Sequence, residues 1–471
     1  MRRLTPLLAA LALALAGCAS LDPQPRFAEL QQAAAKPLPG AQLLWAQTPE
    51  QEAERERRVA ALLAQPLSLD AAVQLALLNH RGLQAAYAQL GIAVADLDQA
   101  SRLPNPGFSF GRNRASADHG VEREIERSVH LSLNSLLSWP MRRAIEARRV
   151  EQAQGAALLA VIERAATVRK AWVQAVAAQQ TLAYSAQVLE AAEAGAELAA
   201  RMRSVGNLNK LQQLREQGFQ AEAALAHARA TAAAQAARER LIRALGLWGD
   251  QLEQLRLPER LPDLPTAPAE RPEIEREGLA QRLDVQGAKL NAEATARQLG
   301  LSRITRFVNV LELGGHLNTN NEGARERGWE LSIELPLFDW GGARVARAEH
   351  QYRQALAQVA DTAINARSEL REAYGAYRHA WDIARHQRQV LLPLKSQVSE
   401  ENLLRYNGMF IGVFELLADA RAQVAAVNAA IEAERDFWLA QADLEQALIG
   451  KPNLAAAAAS LSAPAEAGGG H

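Results

Sequence analysis

The chain has 471 residues, of which 49% are hydrophobic but only 5% aromatic, and its formal net charge is −1. This length allows two or three ordinary domains, and a hydrophobic content supplied largely by alanine favours close packing of helices over a thick core. The balanced charge argues against nucleic acid as a partner, because phosphate binding needs a concentrated excess of Lys and Arg.

The first 17 residues have the features of a secretory signal peptide. Two arginines precede an apolar run from Leu7 to Ala16, which is too short to cross a bilayer as a permanent helix, so we expect residues 1–17 to be removed. Cys18 is the only cysteine and cannot form an intrachain disulfide. Its position after Leu-Ala-Gly resembles a bacterial lipobox, which implies cleavage before Cys18 and its acylation; an incidental cysteine in an ordinary signal is the alternative. The residue after Cys18 is not Asp, which by the same resemblance favours the outer membrane.

The segment after the anchor predicts an arm followed by a helix. Residues 18–66 contain scattered prolines and charges, which favour an extended arm. Ser68 can cap a helix that continues to about Arg102, where two prolines end it. This helix opens a first repeat, which we place at residues 67–250.

A β-hairpin is predicted over about residues 105–136, with strands at 107–111 and 129–134 around a polar loop. In the second strand, Val129 and Leu131 share one face while His130 shares the other with serine and asparagine. A strand between lipid and a wet lumen gives this alternation, and so does a half-buried strand of a soluble protein.

A long helix follows over about residues 140–203, where no further proline interrupts the chain. At 1.5 Å per residue its roughly 60 residues would span about 90 Å. Its apolar positions, from Leu158 through Trp172 to Leu189, are spaced by three and four residues, as in a coiled-coil seam. Gly206 can end this helix with a positive φ, and a returning helix runs to Leu245.

The same order recurs after a Pro-rich linker at residues 251–272. The second repeat, residues 273–450, has a predicted hairpin at about 306–336 and a long helix at about 342–405. The apolar seam of that helix, from Leu356 through Leu370 to Ala380, again has spacings of three and four residues. The hairpin's strand at 307–317 places Asn309 and Glu312 on opposite faces, which a bulge would reconcile. The tail, residues 451–471, has little to bury and is predicted to be disordered.

The landmarks of the two repeats have nearly constant offsets, which indicates an internal duplication. They are Pro140 with Pro336, Arg203 with Arg405, Gly206 with Gly408, and Gly246 with Gly450.

Two motifs of the second repeat resemble the TolC family of outer-membrane efflux factors. Residues 335–342, Leu-Pro-Leu-Phe-Asp-Trp-Gly-Gly, are similar to that family's junction between strand and long helix. Tyr-Asn-Gly at 406–408 and Glu-Leu-Leu-Ala at 415–418 are similar to its second periplasmic tip. The resemblance covers roughly residues 67–450, although the first copy departs from it at residues 137–143.

The resemblance implies a mainly α fold with a small β part, built as a duplicated helix, β-hairpin, long helix and helix. In the family, three protomers form a twelve-stranded outer-membrane β-barrel continuous with a periplasmic α-helical barrel. Outer-membrane lipid surrounds the barrel, and a periplasmic adaptor and an inner-membrane pump are the partners. The resemblance therefore implies a homotrimer. Hydrogen bonding agrees to the extent that four strands alone leave open edges in lipid, so closure by association with further copies is required.

The resemblance also assigns sites by position. The helical turns would dock the adaptor, through Arg203, Gly206, Asn207, Arg405, Tyr406 and Gly408. Ordinary helix termination and solvated arginines are the alternative interpretation. Glu415 and Asp419 lie one turn apart and could form an acidic ring that favours cations, or could simply be solvated charges. Aromatic residues flank the strands, where they suit a membrane interface or core packing: Trp139, Trp329, Phe338 and Trp340.

Nothing in the sequence indicates catalysis, a cofactor or a metal site. The histidines are dispersed, and neither a phosphate-binding loop nor a nucleophile elbow is present. The leading hypothesis is therefore a lipid-anchored exit duct of a tripartite export system, with drugs, metal ions and polypeptides all open as cargo. The alternative is a non-conducting structural coiled-coil lipoprotein of the cell envelope.

Overall fold

The computed structural model describes residues 22–117, 120–305, 310–320, 325–334 and 337–452. The signal peptide, Cys18, Asn309, Pro336 and nearly all of the predicted tail lie outside these residues. The chain divides into two compact units, and each unit draws on both predicted repeats. The described residues of the first unit fall within 22–30, 86–157 and 285–362, and those of the second within 31–85, 158–284 and 363–452.

The elements of the first half are helices α1 (Gln24–Ala35), α2 (Pro49–Leu63), α3 (Leu69–Asn79) and α4 (Arg81–Ser101), strands β1 (Gly107–Ala117) and β2 (Gly120–Ser132), and helices α5 (Leu133–Ser204), α6 (Lys210–Leu245) and α7 (Gln251–Gln254). Those of the second half are helices α8 (Ile274–Gln281) and α9 (Leu283–Ile304), strands β3 (Leu311–Asn320) and β4 (Arg325–Ile333), helix α10 (Gly342–His386), a π-helical turn (Gln387–Leu391), and helices α11 (Leu392–Asn407) and α12 (Val413–Ala447).

The prediction of an extended arm at residues 18–66 is wrong for its described part, which contains α1 and α2. Pro49 occupies the first turn of α2, where its missing N–H costs nothing. The Thr48 side chain accepts a hydrogen bond from the N–H of Gln51, whose own side chain returns to the Thr48 backbone. Proline thus starts a helix here rather than excluding one.

The first predicted helix is capped as expected but is broken in two. The Ser68 side chain accepts from the N–H of Ala71 at 3.3 Å, which confirms the cap. At His80 the backbone is extended, with ψ 115°, so α3 ends at Asn79 and α4 begins at Arg81. Asn79 and Gly82, on either side of this position, were the available sequence signal.

The strands are longer, and shifted, relative to the prediction. β1 and β2 extend through most of the stretch predicted as a polar loop, and Leu133 and Asn134, predicted as strand, begin α5. Residues 107–111 and 129–132 were recognisable because apolar and polar residues alternate there. The rest alternates between two polar classes, so its period of two does not appear in hydrophobicity.

Both long helices differ from the prediction at a proline. Helix α5 begins at Leu133 and includes Pro140 in its opening turns, instead of beginning there. The second long helix is interrupted by the π-helical turn Gln387–Leu391, just before Pro393 in the first turn of α11. Proline cannot donate to a helical ladder, and a π-turn re-registers the hydrogen bonds around it.

The core of the second unit confirms part of each predicted seam. Trp172 is 2% exposed and donates its indole N–H to the carbonyl of Leu67 at 2.8 Å. Helices α10 and α12 share a cluster centred on Leu370 and Phe437, both fully buried. Gly278 approaches this cluster so closely that a Cβ there would lie 2.3 Å from Leu370. Leu356, predicted for the second seam, belongs to the first unit and is 46% exposed.

The first unit also has a buried apolar contact, between α1 and α4. Phe27 packs edge-on against Tyr87, with 5.1 Å between ring centroids, and Leu90 is fully buried. Among the described residues, no helix is both long and apolar enough to cross a membrane.

Candidate functional site: a two-faced sheet and two helical turns

The two hairpins form one antiparallel sheet with the order β1-β2-β3-β4. Strand β2 pairs with β3, so the hairpin of the first repeat is joined to that of the second. The register is continuous: Val129 lies opposite Gly315, which lies opposite Trp329. No bulge interrupts the described residues of β3, although Asn309 lies outside them. Within the described chain, β1 and β4 each pair along one side only.

One face of this sheet carries apolar side chains that remain exposed. Directly paired residues share a face, and alternate residues of a strand follow them. Trp329 is 75% exposed, Phe108 67% and Val129 51%, and these three residues lie in one row across the sheet, with Gly315 between Val129 and Trp329. The same face carries Phe110, Ile125, Leu131, Leu311, Leu313, Leu317, Leu331 and Ile333.

The opposite face is polar. His130 and His316 lie on it, and Ser109 shares a hydrogen bond of 2.6 Å with Ser128. The amide of Asn113 donates to Glu126 at 2.7 Å. The described glutamates of the sheet all belong to this face, at Glu124, Glu126, Glu312, Glu326 and Glu330.

This arrangement suits a boundary between an apolar medium and water. An exposed apolar face is unfavourable in water, and an open strand edge in hydrocarbon leaves backbone groups unsatisfied at several kcal/mol each. The sheet therefore needs both a cover for one face and a partner for each edge.

The first helical turn ends α5 by a Schellman motif, with Gly206 as its left-handed residue. Gly206 has φ +81° and donates its N–H to the carbonyl of Arg203 at 3.0 Å. Asn207 donates to the carbonyl of Met202 at 2.9 Å. The guanidinium of Arg203 donates to the side-chain oxygen of Gln213 on α6. Arg203 therefore also links the two helices of this hairpin.

The second helical turn uses the same motif with a different residue in the left-handed position. Met409 has φ 62°, whereas Gly408 has φ −81°. Met409 donates to the carbonyl of Tyr406 at 2.9 Å, and Phe410 donates to that of Arg405 at 2.9 Å. By hydrogen bonding, Gly206 thus corresponds to Met409, which corrects the predicted pairing of Gly206 with Gly408.

The exposed tip of the second turn was missed by the sequence analysis. Met409 is 93% and Phe410 84% exposed, while Tyr406 is 39% exposed. Two large apolar side chains directly after a predicted turn were the available signal. An exposed apolar tip suits contact with another protein.

Structural comparison places these features in a known fold. CusC, a protein whose structures describe transmembrane channel formation, aligns with a TM-score of 0.68 and 17% identity, over 84% of this chain and 92% of its own. The outer membrane protein VceC of Vibrio cholerae gives 0.68 and 16%, over 81% and 96%. The outer-membrane channel OprN gives 0.67 and 20%, over 88% and 95%. The chain has the TolC fold.

A sequence relative agrees with this assignment. The cobalt-zinc-cadmium resistance protein CzcC of Cupriavidus metallidurans is 26% identical over 281 residues, which cover 59% of this chain. The match spans 64% of that relative, less than two thirds of its length. No family model matches the sequence.

Within the TolC fold, the two acidic residues beyond the second turn have different environments. Glu415 is exposed in the first turn of α12, where the helix dipole favours a negative charge. Asp419 is half-buried, and one of its carboxylate oxygens has no hydrogen-bond partner among the described residues.

Close in sequence to Asp419, α12 carries a charged contact that the sequence analysis missed. The guanidinium of Arg421 lies 3.4 Å from the carboxylate of Glu216 on α6 and 4.4 Å from the ring centre of Phe219. The side chain of Glu216 is only 5% exposed. This contact joins a helix of the first repeat to one of the second, and no spacing in the sequence indicates it.

The predicted interface aromatics are mostly exposed. Phe338 is 100% and Trp340 59% exposed, near the junction that leads into α10, and Trp329 belongs to the apolar face of the sheet. Trp139 differs from them, since it is half-buried within α5 and its indole N–H has no hydrogen-bond partner in the described part of the chain.

Proposed function

We propose that this protein is the outer-membrane channel component of a tripartite export system. Substrates would pass from an inner-membrane pump and a periplasmic adaptor into a helical tunnel and leave through the outer membrane. The observation that carries the proposal is the two-faced sheet with its exposed apolar face and open edges, in a chain that has the TolC fold. The protein conducts and does not catalyse.

Closure of the sheet requires further copies of the chain. In a trimer, the β1 edge of one copy pairs with the β4 edge of the next, and three four-stranded sheets complete a cylinder of twelve strands. The apolar face then meets lipid and the polar face lines a water-filled lumen. Acyl chains on Cys18 anchor each copy to the outer membrane.

The helical turns are the proposed docking sites for the adaptor. The turn after α11 presents the exposed Met409 and Phe410 together with Arg405, and the turn after α5 presents Arg203, Gly206 and Asn207. An apolar centre with basic residues around it fits a protein partner.

The cargo favoured by these observations is a divalent metal cation. The relative CzcC is named for resistance to cobalt, zinc and cadmium. In this chain, the described acidic residues of the sheet all lie on the face assigned to the lumen. A ring of carboxylates concentrates cations by its field.

The test is the conductance of the purified full chain in planar bilayers. Pores, together with a native mass of three copies, support the channel. The Arg421→Ala variant is measured alongside the wild type. It removes the contact to Glu216, so it controls for a wild-type channel whose helical tunnel is closed at rest. If neither protein forms pores, the non-conducting structural lipoprotein replaces the channel.

Ion selectivity tests the cargo separately. Glu→Gln changes at Glu124, Glu126, Glu326 and Glu330 remove charge from the lumen face alone. We expect the reversal potential in a salt gradient to lose most of its cation preference. An unchanged reversal potential contradicts the cation assignment and leaves the channel intact.

A further inference from the structure

The arginines of the described sheet are all on its apolar face. There are two on β1, two on β2 and two on β4, namely Arg112, Arg114, Arg123, Arg127, Arg325 and Arg327. No acidic side chain shares this face among the described residues, since the glutamates point to the other side. The sequence alternates Arg and Glu along β2 and β4, and the pleat turns this alternation into complete separation of charge.

These arginines form three successive rows at the hairpin end of the sheet. Arg127 and Arg327 flank Leu317 in the first row, and Arg112 and Arg325 share the second. Rows are two residues apart, about 6.7 Å, so the three rows extend over about 13 Å. Most of the apolar residues lie on the other side of the first row, toward the end where β2 joins α5, although Ile125 lies in the second row. We call the six arginines the arginine belt.

The belt places like charges against each other. Arg114 lies directly opposite Arg123 in the β1–β2 register, where facing side chains come within about 5 Å. Like charges in directly facing positions repel each other. A bound anion between the two would convert the repulsion into attraction.

We propose that the arginine belt binds phosphate groups on the lipids of the outer leaflet. Guanidinium matches phosphate by two parallel hydrogen bonds, and its long stem can lie along apolar surface while the charge reaches the head groups. The aromatic residues Phe108 and Trp329 share the row between the aliphatic side chains and the first arginines, as at a membrane interface.

The alternatives for this face fit less well. Charged residues on the lipid-facing side of a strand are costly deep in hydrocarbon and become tolerable only at the head groups, so the belt marks where the hydrocarbon ends. Zwitterionic head groups would not require six arginines on a face that has no acidic side chain among the described residues. The inference rests on the proposed function in one respect, that the apolar face of the sheet meets a membrane.

The experiment measures lipid retention by native mass spectrometry of the full chain in neutral detergent. The probes are lipid A with two phosphates, its form with one phosphate, and phosphatidylcholine. The wild type should retain the bis-phosphorylated lipid best and phosphatidylcholine least. The belt variant should retain at least tenfold less of the bis-phosphorylated lipid; its four Arg→Gln changes are at Arg112, Arg114, Arg325 and Arg327.

A matched control removes the same charge from helices of the same unit. Its four Arg→Gln changes are at Arg143, Arg149, Arg303 and Arg353, and it should retain lipid as the wild type does. A milder belt variant, Arg112→Gln with Arg325→Gln, removes one row and should show a smaller loss in the same direction. It keeps the inference testable if the fourfold variant does not fold.

Three results would overturn the inference. They are belt variants that retain bis-phosphorylated lipid within twofold of wild type, a helical control that loses as much as the fourfold variant, and a belt variant that loses its oligomeric mass without lipid present. The last result would place the belt between copies of the chain. Conductance in phosphatidylcholine bilayers separates this inference from the proposed function, because pores without phosphate preference contradict only the belt.

Discussion

The buried Arg282 offers a sharp test of how the second unit is held together. Its side chain is 1% exposed at the break between α8 and α9, and it contacts the carboxylates of Asp284 at 2.7 Å and Glu369 at 2.6 Å. Burial acts to lower the pKa of Arg282, but the hydrogen bonds and charges of the two carboxylates together raise it above its ordinary value. The group therefore stays charged.

Removing Arg282 leaves two mostly buried carboxylates without their cation. Breaking a buried ion pair in this way costs about 3–5 kcal/mol, so Arg282→Met should lower the free energy of unfolding by that amount. The control is Arg371→Met, whose side chain is 59% exposed and contacts Glu275 at 3.1 Å. An exposed pair contributes at most about 1 kcal/mol.

The assay is urea unfolding of the solubilised full chain, followed by helical circular dichroism. Neutralising both partners as well, with Asp284→Asn and Glu369→Gln added to Arg282→Met, should recover at least half of the loss. The reasoning fails if Arg282→Met unfolds within about 1 kcal/mol of wild type, or if the added changes make the loss larger.

Three further predictions use the same unfolding assay. Met409→Gly should raise the free energy of unfolding by about 1 kcal/mol, because a left-handed φ of 62° strains any residue with a Cβ. A lower free energy of unfolding would contradict the claim that Met409 is strained. Trp172→Phe should cost about 1–3 kcal/mol, since the buried carbonyl of Leu67 loses its donor, and a neutral result would show that water replaces it. Hydrogen bonding from Arg55 is the main cause that lowers the pKa of Glu52 to about 2. The stability that ionised Glu52 contributes is therefore present above pH 4.5 and is lost as the pH falls toward 2. Glu52→Gln should make the free energy of unfolding depend less on pH in this range, and an unchanged dependence would refute the role given to Glu52.

The sequence predicted the order of the main elements within the two repeats because periodicity and prolines mark them. The coiled-coil spacing around Trp172 and the helix end at Gly206 needed no tertiary information. Periodicity alone does not show how the two halves combine into one fold, and the TolC resemblance supplied that fold. The structural comparison confirms the TolC fold.

The errors have physical causes that lie outside local patterning. Proline has opposite effects at different helix positions: Pro49 and Pro140 lie within the opening turns of helices, where the sequence predicts an extended arm and a helix start. Pro393, which lies inside the predicted second long helix, instead follows a π-helical turn and falls in the first turn of α11. Strand ends composed of Arg and Glu gave no hydrophobic alternation, so the belt was assigned to a loop. The contact of Glu216 with Arg421 joins residues 205 positions apart, and only the folded chain reveals it.

The pairing of β2 with β3 has a consequence for biosynthesis. Ser132 must wait for Glu312, which is 180 residues later in the chain (312 − 132). At about 5–20 residues per second, the ribosome delivers that partner roughly 10–40 s after the first hairpin has emerged. During that delay the β2 edge of the first hairpin has no partner from its own chain, and an unpaired strand edge can pair with other chains.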